Sequence, residues 1–226
     1  MTEIKRNLVE LHELEDLDLH TIQKDGKRYY TDGTESFYYP SVTTVTGLLS
    51  RDHIKLWRER VGAEEANRIS TGASKRGTSF HQVVEDYLRQ EKDEIVFADL
   101  IEENRFNGVK GVLDEIVPIA LEAPLVSNAL QMAGRVDCVG VFEDALSIID
   151  FKTSSSFKED YMAKPWFLQM TAYAIMVEEL TGVPIEEVTA IVSLENGNFQ
   201  LFSANPEDHV EELYKLREQY RNLHGV

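Results

Sequence analysis

Asp150 is the residue that most restricts how this chain can fold. It interrupts Leu146-Ser147-Ile148-Ile149-Asp150-Phe151, a nearly continuous apolar run of the kind that reads as a β-strand buried on both faces. An unpaired carboxylate is expensive to bury, so an acid in such a strand calls for a metal, a cationic partner or a cleft. Just upstream lies Gly134-Arg135-Val136-Asp137-Cys138-Val139-Gly140-Val141-Phe142, and the two runs read together as one β-hairpin. With the turn centred between Glu143 and Asp144, the register sets Asp137 directly across from Asp150 and Lys152 across from Arg135. Opposed side chains in an antiparallel pair lie about 4.5–5.5 Å apart at Cβ, and like charges there destabilise the pair unless something neutralises them. A divalent cation does so, because hard cations take oxygen ligands, commonly one or two carboxylates with water and substrate phosphate oxygens. The pattern points to metal-dependent phosphodiester chemistry. A solvated hairpin face is the plainer alternative, and the apolar run around Asp150 argues against it.

The 226 residues are 42% hydrophobic and 28% charged, the proportions of a soluble globular domain large enough to bury a substantial core. No apolar run approaches the length needed to span a bilayer, so no membrane association is expected. The stretch from Met1 to Asp16 turns acidic quickly and carries neither a secretory apolar core nor an Arg-rich transit pattern, so the expected location is cytoplasmic. Cys138 is the single cysteine, which excludes an internal disulfide and leaves no four-thiolate set for an iron–sulfur cluster. It alternates to the face opposite Asp137, where a free cysteine is expected to pack in the core.

A net charge of −17 opposes indiscriminate nucleic-acid binding, which rests on Lys and Arg neutralising phosphates. Distribution matters more than the sum. Between Arg51 and Arg76 the bases Arg51, Lys55, Arg58, Arg60, Arg68, Lys75 and Arg76 outnumber the acids Asp52, Glu59, Glu64 and Glu65, and Trp57 stands among them. Backbone contact by Trp57, Arg58, Lys75 and Arg76, with stacking on the indole, suits a single strand. The same stretch equally fits a solvated helix with ordinary charge variation.

Along the chain, alternation around Asp32-Gly33 predicts a hairpin over 27–39, followed by helices over 41–49, 52–71, 77–90 and 106–117, with Ser41 as an N-cap. A segment at 119–126 suits a strand or a helix end. The hairpin at 131–152 comes next, then an apolar helix over 165–180 closed by Gly182, two strands about Asn196-Gly197, and a charged helix over 206–223 begun by Asn205 or Pro206. The expected fold is mixed α/β, a small mixed or mostly antiparallel sheet flanked by helices. It forms one domain over 1–226, with an N-terminal segment and hairpin over 1–40, a helical region over 41–118 and a sheet core with C-terminal helices over 119–226.

Helical spacing gives His81 and Glu85 a shared face, and Gln169 and Tyr173 another. The ordered set Gly77-xxx-His81-xxx-Glu85, Gly134-x-x-Asp137, Asp150-x-Lys152-Thr153-Ser154 and Gln169-xxx-Tyr173 resembles the RecB-like exonuclease branch of the PD-(D/E)xK nuclease superfamily, most closely its mitochondrial genome-maintenance members and their phage relatives. The resemblance runs through residues 41–173 in motifs. It implies a restriction-endonuclease-like core in which the 41–118 helices guide DNA. Asp137, Asp150 and the main-chain carbonyl of Phe151 would be metal ligands, with His81 as a further ligand and Lys152 as the catalytic lysine. Gln169 and Tyr173, with Glu85, Glu122 and Ser154, would support the site or contact substrate. Val136 stands where proline often precedes the first acid. The missing mitochondrial transit segment favours a bacterial or phage version.

These readings together lead to a Mg²⁺- or Mn²⁺-dependent DNA exonuclease, using one or two ions, that acts on single strands with free ends and works beside replication or recombination proteins. His81 suits Mn²⁺ better than Mg²⁺, since imidazole is the softer donor. A structure-selective or site-specific endonuclease is the alternative within the class. A non-catalytic nucleic-acid-binding module is the alternative outside it, and the retained Asp137, Asp150 and Lys152 weigh against that.

Overall fold

A computed structural model describes residue 11, residues 13–92 and residues 94–225. Most of the acidic N-terminal stretch discussed above lies outside the described residues. After a short 3-10 turn at Glu13–Asp16 comes a three-stranded antiparallel sheet of β1 (Leu19–Lys24), β2 (Lys27–Asp32) and β3 (Tyr39–Pro40). The β1–β2 turn is Asp25-Gly26, both residues left-handed with φ of 51° and 71° as the tight hairpin turn requires. The expected hairpin over 27–39 is also present, β2 pairing antiparallel with β3, but a longer loop and not a tight turn at Asp32-Gly33 connects them. Asp32 Oδ1 instead accepts the Thr34 and Ser36 amides at 3.1 and 2.8 Å, a local alternative to ladder pairing, and β2 meets β3 over only Tyr29↔Pro40 and Tyr30↔Tyr39.

Helices α1 (Val42–Thr46), α2 (Arg51–Val61), α3 (Ala63–Arg89) and α4 (Leu100–Leu113) follow. Ser41 caps α1 as expected, its side chain accepting the Thr44 amide at 3.0 Å. The break expected between residues 71 and 77 is absent; the chain turns at Gly62, whose φ of 87° suits a residue without Cβ, and α3 then runs on through Gly72 and Gly77. Glycine costs about 1 kcal/mol in a helix interior. The buried stripe Phe80, Val83, Val84 and Leu88 offsets that cost by seating the second half of α3 on the sheet. α4 starts earlier than its apolar pattern suggests because the Asp99 carboxylate accepts the Ile101 and Glu102 amides, both at 2.9 Å.

The main sheet runs β4 (Val117–Ser127), β5 (Met132–Phe142), β6 (Ala145–Ser154), β7 (Glu187–Leu194) and β8 (Phe199–Ala204) in that order. Its pairs are antiparallel except β6 with β7, which are parallel and joined through α5 (Lys164–Thr181). Helix α6 (Val210–His224) ends the chain, after Asn205 caps the short turn that precedes it. One sheet face, with Ile148, Val188, Ala190 and Val192, packs against α1, α5 and α6. The other, with Cys138, Phe142, Ile149, Phe151 and Ile191, packs against α3 and α4. β6 is thus buried on both faces, the environment its apolar run requires.

The β5–β6 turn falls at Glu143 and Asp144, with φ of 49° and 66°, and the register from Phe142↔Ala145 to Cys138↔Ile149 is the expected one. It stops one pair short of the acids. Beyond Cys138 the strands part, β5 continuing against β4 to Ser127↔Met132 and β6 following β7 to Ser154↔Leu194. The expected opposition of Lys152 and Arg135 is corrected with it: Arg135 stands across from Pro124.

Gly108, which lowered the expectation of a helix there, has a packing reason. A Cβ on it would come within 2.1 Å of the Gly197 carbonyl oxygen in the β7–β8 turn, so α4 meets that turn backbone to backbone. Gly108→Ala is expected to cost about 1–3 kcal/mol, the usual scale of overpacking, lowering the urea midpoint with m unchanged. An unshifted midpoint would show that the contact relaxes freely.

Candidate active site

The parting of β5 and β6 opens a cleft of about 710 Å³ that both α3 and α5 line. Its floor carries Glu122, Gly134, Arg135, Asp137 and Lys152; α3 supplies Gly77, Thr78, His81, Gln82 and Glu85, and α5 supplies Gln169 and Tyr173. Asp150 lies just beneath, 2% exposed. Residues from four separate parts of the sequence therefore converge on one cleft.

Each acid is held differently. The Asp137 Oδ2 accepts the Phe151 amide at 2.9 Å and lies 3.4 Å from His81 Nδ1. Burial pushes the Asp137 carboxyl up, but His81, Lys152 and the Phe151 N–H outweigh it and hold the group below the usual range. His81 shows the reciprocal effect. Burial disfavours its imidazolium, yet the neighbouring Asp137 raises it to about 9. The Asp150 Oδ1 accepts a hydrogen bond from Gln169 Nε2 at 2.9 Å, and its Oδ2 touches the Lys152 ammonium. That buried Oδ2 makes no well-directed hydrogen bond among the described residues, and burial raises the carboxyl to about 6 despite Lys152. Lys152 loses from burial and gains more from Asp150 and Asp137, so its ammonium is favoured.

Glu122 is the acid that the structure brings forward. It stands beside Asp137 on the neighbouring strand with φ of 49°, in the gap between the pairs Leu121↔Cys138 and Ala123↔Val136. The flanking backbone is fixed from the outer edge of the sheet. The Leu121 amide donates to Glu15 at 2.6 Å, the Leu121 carbonyl accepts from Arg89 at 2.9 Å, and the Glu122 carbonyl accepts from Arg135. Burial first, and then Asp137, raises the Glu122 carboxyl to about 7. One ligand atom each from His81, Glu122 and Asp137 lies within 4.8 Å of the others. Two carboxylates and one imidazole in that group, with the buried Asp150 carboxylate beneath them, make a donor set that fits a divalent cation.

The remaining expected residues divide. Glu85 lines the cleft and pairs with Arg89 at 2.9 Å. Tyr173 is buried against Gly134, where a Cβ would meet its ring at 2.8 Å; its phenol is pushed well up by burial and stays protonated. Ser154 turns away, its hydroxyl exchanging hydrogen bonds with the Ser156 backbone at 2.6 and 3.1 Å. Cys138 is in the core as expected. Trp57, Arg58, Lys75 and Arg76 do not line the cleft. Trp57 edges a separate groove with His53 and Arg60, Arg58 donates to Asn67 at 2.7 Å, and Lys75 and Arg76 border a cavity of about 250 Å³ beside Arg105. The sequence reading missed the wall built by Thr21, Gln23, Arg28 and Tyr30. Its signal was Asp25-Gly26, a hairpin turn left unread.

A model of the PD-(D/E)XK nuclease superfamily matches residues 97–224, more than half of the chain, and the chain belongs to that superfamily, with its restriction-endonuclease-like fold. Among individual proteins it is similar to the Homo sapiens mitochondrial genome maintenance exonuclease 1, at 26% identity over 151 residues, covering 59% of this chain and 42% of that protein. The chain thus spans less than half the length of this curated relative. Looser likenesses are to the crystal structure of SSO0001, with a TM-score of 0.44 and 13% identity over 99% of this chain and 87% of that one. Another is to Scheffersomyces stipitis Rai1 in complex with (3'-NADP)+ and calcium ion, with a TM-score of 0.32 and 13% identity over 97% and 60%. Among the described residues no helix is long and apolar enough to cross a membrane.

Proposed function

We propose that this chain is a metal-dependent DNA exonuclease that hydrolyses phosphodiester bonds and prefers single strands with free ends. The observation that carries the reading is the convergence of Lys152, Asp150, Asp137, His81 and Glu122 on one cleft, in a member of a nuclease superfamily. The name of the human relative supports the exonuclease mode, and a cleft walled on several sides suits one strand better than a duplex.

Asp137, Asp150, Glu122 and His81, with the Phe151 carbonyl, would hold Mg²⁺ or Mn²⁺, one ion or two. When bound, the ion supplies Lewis acidity toward a phosphoryl oxygen and a more acidic water. The protein groups do the rest. The Lys152 ammonium stabilises negative charge growing on the phosphate and is set in place by Asp150. Gln169 orients Asp150 through Oδ1, and the Phe151 amide orients Asp137. Tyr173 remains a hydrogen-bond donor at neutral pH. Glu85 sets Arg89, which in turn fixes the backbone next to Glu122. The helical region over 41–76, with Trp57 and Arg58, is proposed to guide the strand toward the cleft. Work beside replication or recombination proteins in a bacterial or phage-infected cytoplasm remains part of the proposal.

The test is degradation of end-labelled linear single-stranded DNA with Mg²⁺ or Mn²⁺, with chelator, and with Asp150→Ala, against circular single-stranded DNA. Expected are loss of linear DNA with either ion, none with chelator or the variant, and intact circles. Cut circles would favour a structure-selective or site-specific endonuclease, and retention without cutting a non-catalytic binding module.

A further inference from the structure

The chemistry above uses the floor of the cleft and the walls from α3 and α5. The wall formed by the β1–β2 hairpin has no role in it. Thr21 stands across from Tyr30 and Gln23 across from Arg28, so alternation places all four on one face, and that face lines the cleft. Arg28 is exposed, and its guanidinium makes no ion pair or hydrogen bond among the described residues. In a chain with 40 acidic residues and a net charge of −17, a guanidinium facing a cleft without a carboxylate partner is free for an arriving anion. A second guanidinium faces the same space. Arg135 is two residues before Asp137 on β5, about 6.7 Å along the strand on the same face. Its bond to the Glu122 carbonyl fixes the group and leaves the rest of its donor fork open.

We propose that Arg28 and Arg135 are substrate-positioning residues that bind backbone phosphates neighbouring the one at Lys152, making the β1–β2 hairpin a wall of the nucleic-acid path. The inference rests on the nuclease reading and extends it: the cleft grips more than one phosphate, and the hairpin sets which part of the strand reaches the acids. A guanidinium offers a planar fork that matches phosphate oxygens, so lysine is an incomplete substitute.

The experiment is a scan of single-stranded oligonucleotides, each with one neutral methylphosphonate linkage at a defined distance from the cut, using the wild-type protein, Arg28→Gln, Arg28→Lys and Arg135→Gln. For the wild type, one or two linkages beside the scissile one should each raise KM by roughly tenfold, the scale of a lost charge-assisted contact. In Arg28→Gln one of those sensitivities should vanish while KM for the unmodified strand rises by the same factor, and Arg28→Lys should recover part of it. The log–log salt slope of binding should fall by about 0.7 per lost single-strand phosphate contact. Arg28→Gln and Arg135→Gln with the wild-type sensitivity pattern would overturn the assignment. So would a wild-type scan with no sensitive linkage beyond the scissile one, which needs no variant to fold. A wild-type protein that cuts no strand at all sinks the nuclease reading instead.

Discussion

Lys152→Ala is expected to lower turnover on linear single-stranded DNA by on the order of 10²–10³, the scale of removing one positioned electrostatic group from a transition state. The side chain is held on β6 two residues beyond Asp150, and its ammonium contacts that carboxylate in the cleft. Burial favours the neutral amine, and the adjacent acids favour the ammonium more strongly. The group therefore presents a fixed positive charge to the cleft at neutral pH. Loss of Lys152 has two opposing effects on a dication: it removes a competing positive charge and lets Asp150 keep its proton to higher pH. At pH 8, above the wild-type Asp150 value of about 6, the two effects should offset, so that metal affinity stays within severalfold of wild type while turnover collapses. Calorimetric titration with Mn²⁺ beside single-turnover kinetics separates the two. If affinity falls in step with turnover, Lys152 acts by organising Asp150 and not by meeting the phosphate. Lys152→Arg should not restore the rate, because a planar fork does not occupy the place of a compact ammonium.

The site was legible in the sequence wherever periodicity acts locally. Asp150 and Lys152 share a strand face, His81 and Glu85 a helix face, and the turn at Glu143-Asp144 fixed the β5–β6 register without any glycine. What local spacing does not contain is where two strands separate. The Cys138↔Ile149 pair is the last of its ladder because β6 is claimed by β7 and β5 by β4, both distant in sequence. That separation turns two opposed acids into a cleft with Asp137 at its surface and Asp150 beneath. Glu122 was visible as an acid before Pro124, but its place beside Asp137 depends on Glu15 and Arg89 gripping the backbone at Leu121, contacts across 106 and 32 residues. The basic stretch from Arg51 to Arg76 shows the converse. Composition singled it out, yet only the part of α3 beyond it, from Gly77 onward, reaches the cleft. The helix period there was read correctly and the break misplaced, since Gly62 and Gly72 look alike in sequence and only Gly62 takes a positive φ.

Metal affinity is expected to rise steeply with pH, because Glu122, Asp150 and His81 among the candidate ligands keep their protons in the metal-free protein to higher pH than usual. Glu122 is raised to about 7 and Asp150 to about 6, and His81 keeps its proton to about 9. A dication must displace those protons, so apparent affinity for Mn²⁺ should climb about tenfold per pH unit for each proton released between pH 6 and 8. Stability without metal should run the other way. For Glu122 and Asp150 the folded pKa lies above the unfolded one, so each destabilises the native state progressively from about pH 4 to its own folded value and by a constant amount above it. For Glu122 the span corresponds to an upper bound of about 3–4 kcal/mol, reduced by its partial exposure. His81, also raised, contributes stability that is full below about pH 6.5 and is lost as pH passes through about 9. All three therefore weaken the metal-free protein as pH increases, while a bound dication offsets the carboxylate charge. Thermal unfolding at pH 5, 6, 7 and 8, with chelator and with excess Mn²⁺, should show a difference in Tm that widens with pH. Glu122→Gln should remove the part of that widening centred near pH 7. A difference that stays flat from pH 5 to 8 would mean that these side chains do not ligate the ion, whatever the cleft does to DNA.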